Sequence, residues 1–293
     1  MKIKKSIGEW IFQVINVFVI VLLLVITLYP FWYVICASVS NANQLAVHTG
    51  LLLNPIGFNV KAYQEVLSSP KILRGFVNTF LVVIGGVGIN MLMTCLGGYA
   101  LSRKDLYWKN KIMLLITFTM FFNGGLIPTY FVVKNLHLDD TLWALIVPYA
   151  LSTANLIIMR TAFLSVPDSL EEAAKLDGAN DLVILFRIAL PVCMPTISVL
   201  ILYYAVAHWN SWFAAMIYLR NSQKFPLQLV LRDILLANTA DDFMSDVSAG
   251  DNAFFRESIK YATIMVSALP IICVYPFLQK FFEKGVMIGA IKE

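Results

Sequence analysis

Long apolar runs alternate with short polar links along the chain, at a spacing set by a bilayer and not by a globular core. The runs cover residues 11–38, 75–101, 112–133, 142–163, 192–219 and 259–282, each near the ~20 residues a helix needs to cross about 30 Å of hydrocarbon. Six transmembrane helices are expected. The first run follows Lys2, Lys4 and Lys5, as in a signal peptide. It is too long for that role and lacks a small-x-small cleavage site at the right distance, so it is expected to be retained. The second carries Gly85, Gly86, Gly88, Gly97 and Gly98, small residues that let helices approach closely in lipid. The third is interrupted by Asn123-Gly124-Gly125 and Pro128. Backbone groups freed at membrane depth need partners, so this segment is expected to face the bundle interior or a cavity. Residues 39–74 are polar, with Asn54-Pro55 and an amphipathic piece at 60–67. A second polar insert, 220–258, holds an amphipathic helix candidate at 227–236 and an acidic patch of Asp241, Asp242, Asp246 and Asp251.

Composition narrows the class. The 293 residues are 59% hydrophobic and 14% charged, with a mean hydropathy of +0.75, too apolar for a surface that must meet water. The net charge of +4 is scattered through the links, so no nucleic-acid footprint is present. Cys36, Cys95, Cys193 and Cys273 sit singly inside apolar runs and read as reduced packing residues. With the amino terminus inside, 13 lysines and arginines fall on the inner side and 9 on the outer, out of 22. That bias follows the positive-inside rule and puts both termini in the cytoplasm.

Residues 165–191, SVPDSLEEAAKLDGANDLVILFRIALP, form a charge-rich stretch between the fourth and fifth runs. Ser165 followed three residues later by Asp168 predicts a capping box, with Pro167 in the first helical turn. Glu171, Glu172, Ala173, Ala174, Lys175 and Leu176 favour helix, and Asp177-Gly178 is expected to close it, glycine being able to take positive φ. A second amphipathic segment follows, with Leu182, Leu185, Phe186 and Ala189 on one face and Pro191 at its end.

The spacing Glu172-Ala173-Ala174, three residues, Gly178, nine residues, Ile188, one residue, Leu190-Pro191 matches the EAA loop of ABC-importer permeases at every fixed position. The chain also resembles the carbohydrate-uptake branch of that family, near the smaller permease of the maltose importer and oligosaccharide permeases of Gram-positive bacteria. The likeness includes Val77-Asn78-Thr79, Tyr99-Ala100-Leu101-Ser102-Arg103, Gly125-Leu126-Ile127-Pro128-Thr129-Tyr130 and the tail from Lys284 to Lys292. The chain departs from it in ending Lys292-Glu293, where Lys-Gly is common. The resemblance implies an all-α, six-helix type I importer permease fold. It divides the chain into an N-terminal helix (1–38), an extracellular segment (39–74), a five-helix core (75–283) and a cytoplasmic tail (284–293). It further implies that Glu172, Ala173, Ala174, Asp177, Gly178, Ile188, Leu190 and Pro191 dock into an ATPase subunit, and that Gly285 and Gly289 give the tail a second ATPase contact. The implied partners are a second permease subunit in a heterodimer, two ATPases, an extracellular solute-binding protein and membrane lipid. ATP and Mg would be used by the ATPases, with no cofactor on this chain.

The remaining chemistry agrees with a transport subunit. No GxxxxGK[ST] occurs, and His48, His137 and His208 lie on separate segments, so neither ATP hydrolysis, a metal site nor a nucleophilic triad is suggested. Almost no Asp or Glu lies within the runs, which argues against a secondary carrier. An importer for amino acids or another small solute is the alternative within the class. The fifth run carries Tyr203, Tyr204, His208, Trp209, Asn210, Ser211 and Trp212. Tyr204, Trp209, Asn210 and Trp212 are the candidates for contact with a carbohydrate, whose C–H faces suit aromatic rings and whose hydroxyls suit an amide. An interfacial aromatic belt is equally consistent with the cluster.

Overall fold

The computed structural model of the chain describes residues 7–236, 258–273 and 276. Among the described residues the ordered elements are helical and no strand occurs. They fall into two compact units, residues 7–69 with 234–236 and 258–268, and residues 70–233 with 269–273 and 276. The acidic patch at 241–251 and residues 274–275 and 277–282 of the sixth run lie outside the described residues.

In the first unit, α1 (Ile7–Ser38) is long and apolar enough to cross a membrane unaided and is exposed over most of its length. Only its end is packed, where Cys36 and Ala37 are buried with Leu52. Short α2 (Ala42–Val47) is capped by Asn41, whose side chain accepts from the Asn43 and Gln44 amides, and α3 (Lys61–Ser68) falls on the amphipathic piece. Trp32 Nε1 donates to the Leu53 carbonyl at 2.8 Å and Ser40 Oγ accepts from the Ile56 amide at 3.0 Å. The polar link is thereby pinned to the end of α1.

The second unit is arranged around α4 (Pro70–Ser102), whose 33 residues span about 50 Å at 1.5 Å per residue. Next come α5 (Lys109–Phe121) and α6 (Leu126–Asn135), which meet at 113°. Two 3₁₀ segments, Leu142–Leu145 and Val147–Tyr149, lead at a 51° bend into α7 (Thr153–Leu164). Then follow α8 (Asp168–Leu176), α9 (Asp181–Ile184), a π turn (Leu185–Ala189) and α10 (Leu190–Val192). After an 87° corner come α11 (Met194–Trp209), α12 (Trp212–Tyr218) and α13 (Leu227–Leu236). Helix α4 packs on α7 and α11. A β-carbon on Gly98 would lie 3.2 Å from the Arg160 amide nitrogen, and one on Gly86 only 2.4 Å from His208 Nε2. At Gly86 a neighbour already occupies the side chain's place, while at Gly98 the Arg160 backbone would have to give by a few tenths of an ångström.

Polar bonds fix one end of α4. Asn78 Nδ2 donates to the carbonyls of Gln223 and Phe225, and Thr79 Oγ1 accepts from the Leu227 amide. Asp140, at φ 52°, accepts from the Arg220 and Asn221 amides at 3.0 Å each and ion-pairs with Lys224 at 2.8 Å. These bonds hold its carboxyl far below the usual carboxylate range. The links at 136–141 and 219–226 are thus stapled together.

Two expectations need correction. The break between α5 and α6 does not face the interior of this chain: Phe121, Phe122, Leu126 and Ile127 are all exposed. Two of its backbone groups are met locally, Gly125 N donating to Asn123 Oδ1 at 2.9 Å and Thr129 Oγ1 to the Gly125 carbonyl at 2.8 Å. The face assigned to 182–189 is also wrong in part. Leu185 and Ala189 are buried with Ile184, whereas Leu182 and Phe186 are exposed. The buried face is the stripe of Ile184, Leu185, Ile188 and Ala189 that meets Tyr99, Met159 and Phe163; a π turn follows in which Leu190 N bonds the Leu185 carbonyl, five residues back. Pro191 cannot donate, and its ring crowds the carbonyl four residues earlier, which opens the preceding turn.

Gly86→Ala is expected to destabilise the detergent-solubilised protein by about 1–3 kcal/mol, the usual range for overpacking. Adding His208→Ala should relieve the clash. Thermal melts of both singles and the double variant check this; the double should lose less than the sum of the singles.

Candidate functional site

Helix α8 has two chemically different faces. Glu171 and Ala174 point inward and are buried, while Glu172, Ala173, Lys175 and Asp177 are exposed and Leu176 is 90% exposed. Ala174 joins a core of Tyr99, Met159, Phe163, Ile184 and Leu185. The helix ends in a Schellman motif: Gly178 N bonds the Lys175 carbonyl at 3.1 Å, and Ala179 N the Ala174 carbonyl at 2.9 Å. Gly178 takes φ +78° with open space beside it, so its requirement for glycine is conformational. Ile188 and Leu190 pack against the same core from the π turn and α10.

The start of α8 departs from the predicted capping box. Ser165 ends α7, its Oγ bonding the Ala162 carbonyl at 2.7 Å, and Pro167 is the N-cap without a side-chain cap bond. With Ser165 committed to α7 it cannot also reach α8. The end of α4 supplies the contacts instead: Arg103 ion-pairs with Glu171, and Lys104 with Asp168 at 2.5 Å. Lys104 holds the Asp168 carboxyl below its usual range, and Asp168 raises the ammonium of Lys104.

Deeper in the bundle, α7 and α11 border a cavity of about 520 Å³ lined by Tyr149, Ser152, Asn155, Tyr204, His208 and Asn210 among others. Tyr204 OH bonds Thr94 Oγ1 at 2.7 Å and accepts from the Ser152 amide at 3.2 Å. His208 Nε2 lies 2.7 Å from Asn90 Oδ1, and Asn90 Nδ2 donates to the Tyr149 carbonyl at 2.6 Å. Both α4 polar residues therefore reach the cavity wall.

No family model matches the chain. Individual relatives do. The polygalacturonan/rhamnogalacturonan transport system permease protein YtcP of Bacillus subtilis is 40% identical over 264 residues, covering 90% of this chain and 92% of that protein. Protein LplC of the same organism is 40% identical over 288 residues, covering 96% and 95%. Among solved structures, a chain of a bacterial ABC transporter involved in the import of the acidic polysaccharide alginate superposes with a TM-score of 0.88. It is 30% identical and covers 96% of this chain and 100% of that one. The chain belongs to the sugar ABC-importer permeases. A second solved chain, from an alginate ABC transporter in complex with an alginate pentasaccharide-bound periplasmic protein, repeats the fold at TM-score 0.56 and 14% identity. As a permease, the subunit is a membrane protein and not itself an enzyme.

The permease brings together Ala174, Ile188 and Leu190 in one core, and presents Glu172, Ala173 and Asp177 on the opposite surface. Pro191 lines a separate apolar cavity of about 470 Å³ with Phe186 and Leu190. Tyr204 and Asn210 line the cavity of about 520 Å³. Trp209 is instead buried edge-on against Phe80, ring centroids 5.8 Å apart, and Trp212 stacks under the Arg232 guanidinium at 5.4 Å. Gly285 and Gly289 lie outside the described residues. Arg103, Lys104, Asn90, Thr94 and Glu171 were missed as site residues. The opposed pattern Arg103-Lys104 against Asp168-x-x-Glu171 was the available signal, since residues three apart share a helix face.

The lowered Asp168 carboxyl implies a pH window. A depressed pKa contributes above the unfolded value, near 3.9, and is lost only as pH falls through the folded value. Corrected amide exchange at residues 168–171 of the permease should be flat from about pH 5 to pH 8 and rise below about pH 4; Asp168→Asn should remove that dependence.

Proposed function

We propose that this chain forms half of the translocation pathway of a binding-protein-dependent importer for oligosaccharides, with α8 as its coupling helix. The observation that carries the assignment is the division of α8 into an inner face tied to the core and an outer face offering Glu172, Ala173 and Leu176. A small alanine lets a helix sink into a groove, Glu172 offers a carboxylate to a basic partner, and an exposed Leu176 suits an apolar cleft. Separate ATPase subunits would bind and hydrolyse Mg-ATP, and their closure would move α8 and alternate the access of the bundle.

Six spans result if each of the three bent pairs is one crossing, together with α1, α4 and the apolar helix Ser258–Cys273. Arg103 and Lys104 pair with α8, Lys109 bonds the Arg103 carbonyl, and Lys175 and Arg187 lie on α8 and the π turn, which supports a cytoplasmic position for α8. The exposed break between α5 and α6 supports a second permease subunit, because irregular backbone at membrane depth needs protein cover. An oligosaccharide is favoured as cargo by the cavity's hydroxyl and amide groups on Tyr204, Ser152 and Asn210 and by the sugar polymers named for the similar proteins. An extracellular binding protein would deliver it.

The test is a bifunctional thiol cross-link from Leu176→Cys in the importer assembled with its ATPases. A cross-link to the ATPase is expected, and its absence while the ATPase co-purifies would reject α8 as the coupling helix. Gly178→Val should raise ATP hydrolysed per sugar imported. Asn210→Ala should lower uptake roughly fivefold, the factor of about 1 kcal/mol for one hydrogen bond, with assembled complex unchanged.

A further inference from the structure

Arg103 sits one residue beyond α4 with every part of its head group engaged. Its guanidinium lies 4.4 Å above the Tyr99 ring. Nε and Nη2 donate to Ser102 Oγ at 3.1 and 2.8 Å, and Nη1 pairs with Glu171. The two side chains are only 19% and 12% exposed. Tyr99 in turn meets Phe163 of α7 edge-on at 5.6 Å, and Arg160 Nε donates to the Leu101 carbonyl at 2.9 Å. The final turns of α4 and α7 and the inner face of α8 therefore form one joint. Lys104–Asp168 flanks it, but at 74% and 60% exposure such a pair holds weakly.

Helix α4 continues from this joint to the cavity. Thr94, nine residues before Arg103 and hence about 14 Å along the helix, bonds Tyr204, and Asn90 one turn further bonds His208. The covalent route from α8 to α11 is different in kind. It passes through Gly178 at positive φ, a π turn and an 87° corner, each a place where a displacement can be absorbed.

Given α8 as the ATPase contact, we propose that Arg103 and Glu171 are positioning residues of the coupling step. They carry a displacement of α8 into α4, and through Thr94 and Asn90 to the cavity side chains Tyr204 and His208. The route is a contiguous chain of named contacts. Neither residue touches the cargo or ATP.

The assembled importer in lipid tests this with two readouts. In Glu171→Gln and Arg103→Gln complexes the ATP hydrolysed per sugar imported should rise at least fivefold. The exchanged pair Arg103→Glu with Glu171→Arg should recover at least half of the coupling. Arg103→Lys should fall between, since lysine keeps the charge but loses the fork and the stacking. Wild-type coupling in both Gln variants, or no recovery in the exchanged pair, would overturn the proposal. The second readout does not depend on transport. With the exposed Cys273 replaced, spin labels at Leu96→Cys and Leu176→Cys should give one narrow distance that is the same with and without trapped nucleotide. Glu171→Gln should broaden it. A wild-type distance that shifts between states, or an unbroadened variant, would overturn the joint. If α8 is not the ATPase contact, the Leu176 cross-link fails while the narrow distance persists, so the two ideas fail separately.

Discussion

Close approach of helix backbones is the constraint on which the second unit depends. Lipid offers no hydrophobic gain for bringing two apolar helices together, so contact must come from packing and interhelical hydrogen bonds. Helix α4 meets that demand with glycine where α7 and the His208 ring come closest, and with Asn78, Thr79, Asn90 and Thr94 where a polar partner waits across the gap. Four polar side chains on one helix facing the same bundle would be a liability in hydrocarbon if left unpaired. Paired, they set the register of α11, the start of α13 and the Val147–Tyr149 segment against α4.

Broken helices are the second recurring device. Each break has a local chemical remedy: Asn123 caps the turn at Gly125, Tyr204 meets the Ser152 amide at the entry to α7, and Pro191 converts an α turn into a π turn ahead of the corner. The breaks also create the site. The cavity lies where the 3₁₀ segments give way to α7, so that backbone turns and the end of α11 border the same space. A continuous fourth helix would have closed it.

The joint at Arg103 and Glu171 connects these two devices. Removing one partner of a nearly buried ion pair leaves the other charge without compensation, which makes the contact specific even if its net stabilisation is small. It holds α8 so that its inner face belongs to the core and its outer face stays free. Closure of α8 by Gly178 then exposes Leu176 and Glu172 together.

Much of this was legible along the chain. Runs of apolar residues near the thickness of a bilayer determine a helical membrane protein, because no other use of such runs is soluble. Glycine at 178 determines a helix end with positive φ, because few other residues reach that conformation at low cost. The spacing from Glu172 to Pro191 determines the family, as the relatives bear out. What the sequence could not decide concerned contacts between distant segments. Ser165 could cap α8 or finish α7, and only the packed turn shows that it is used by the earlier helix. Leu182 and Leu185 are equivalent to a periodic pattern, and only the position of the core formed by Tyr99, Met159 and Phe163 chooses between them. Trp209 and Asn210 are neighbours in sequence, yet a helix end turns one toward Phe80 and the other toward the cavity. Arg103 and Glu171 stand 68 positions apart, and charge at each position gives no address for its partner until α4 and α8 are brought together.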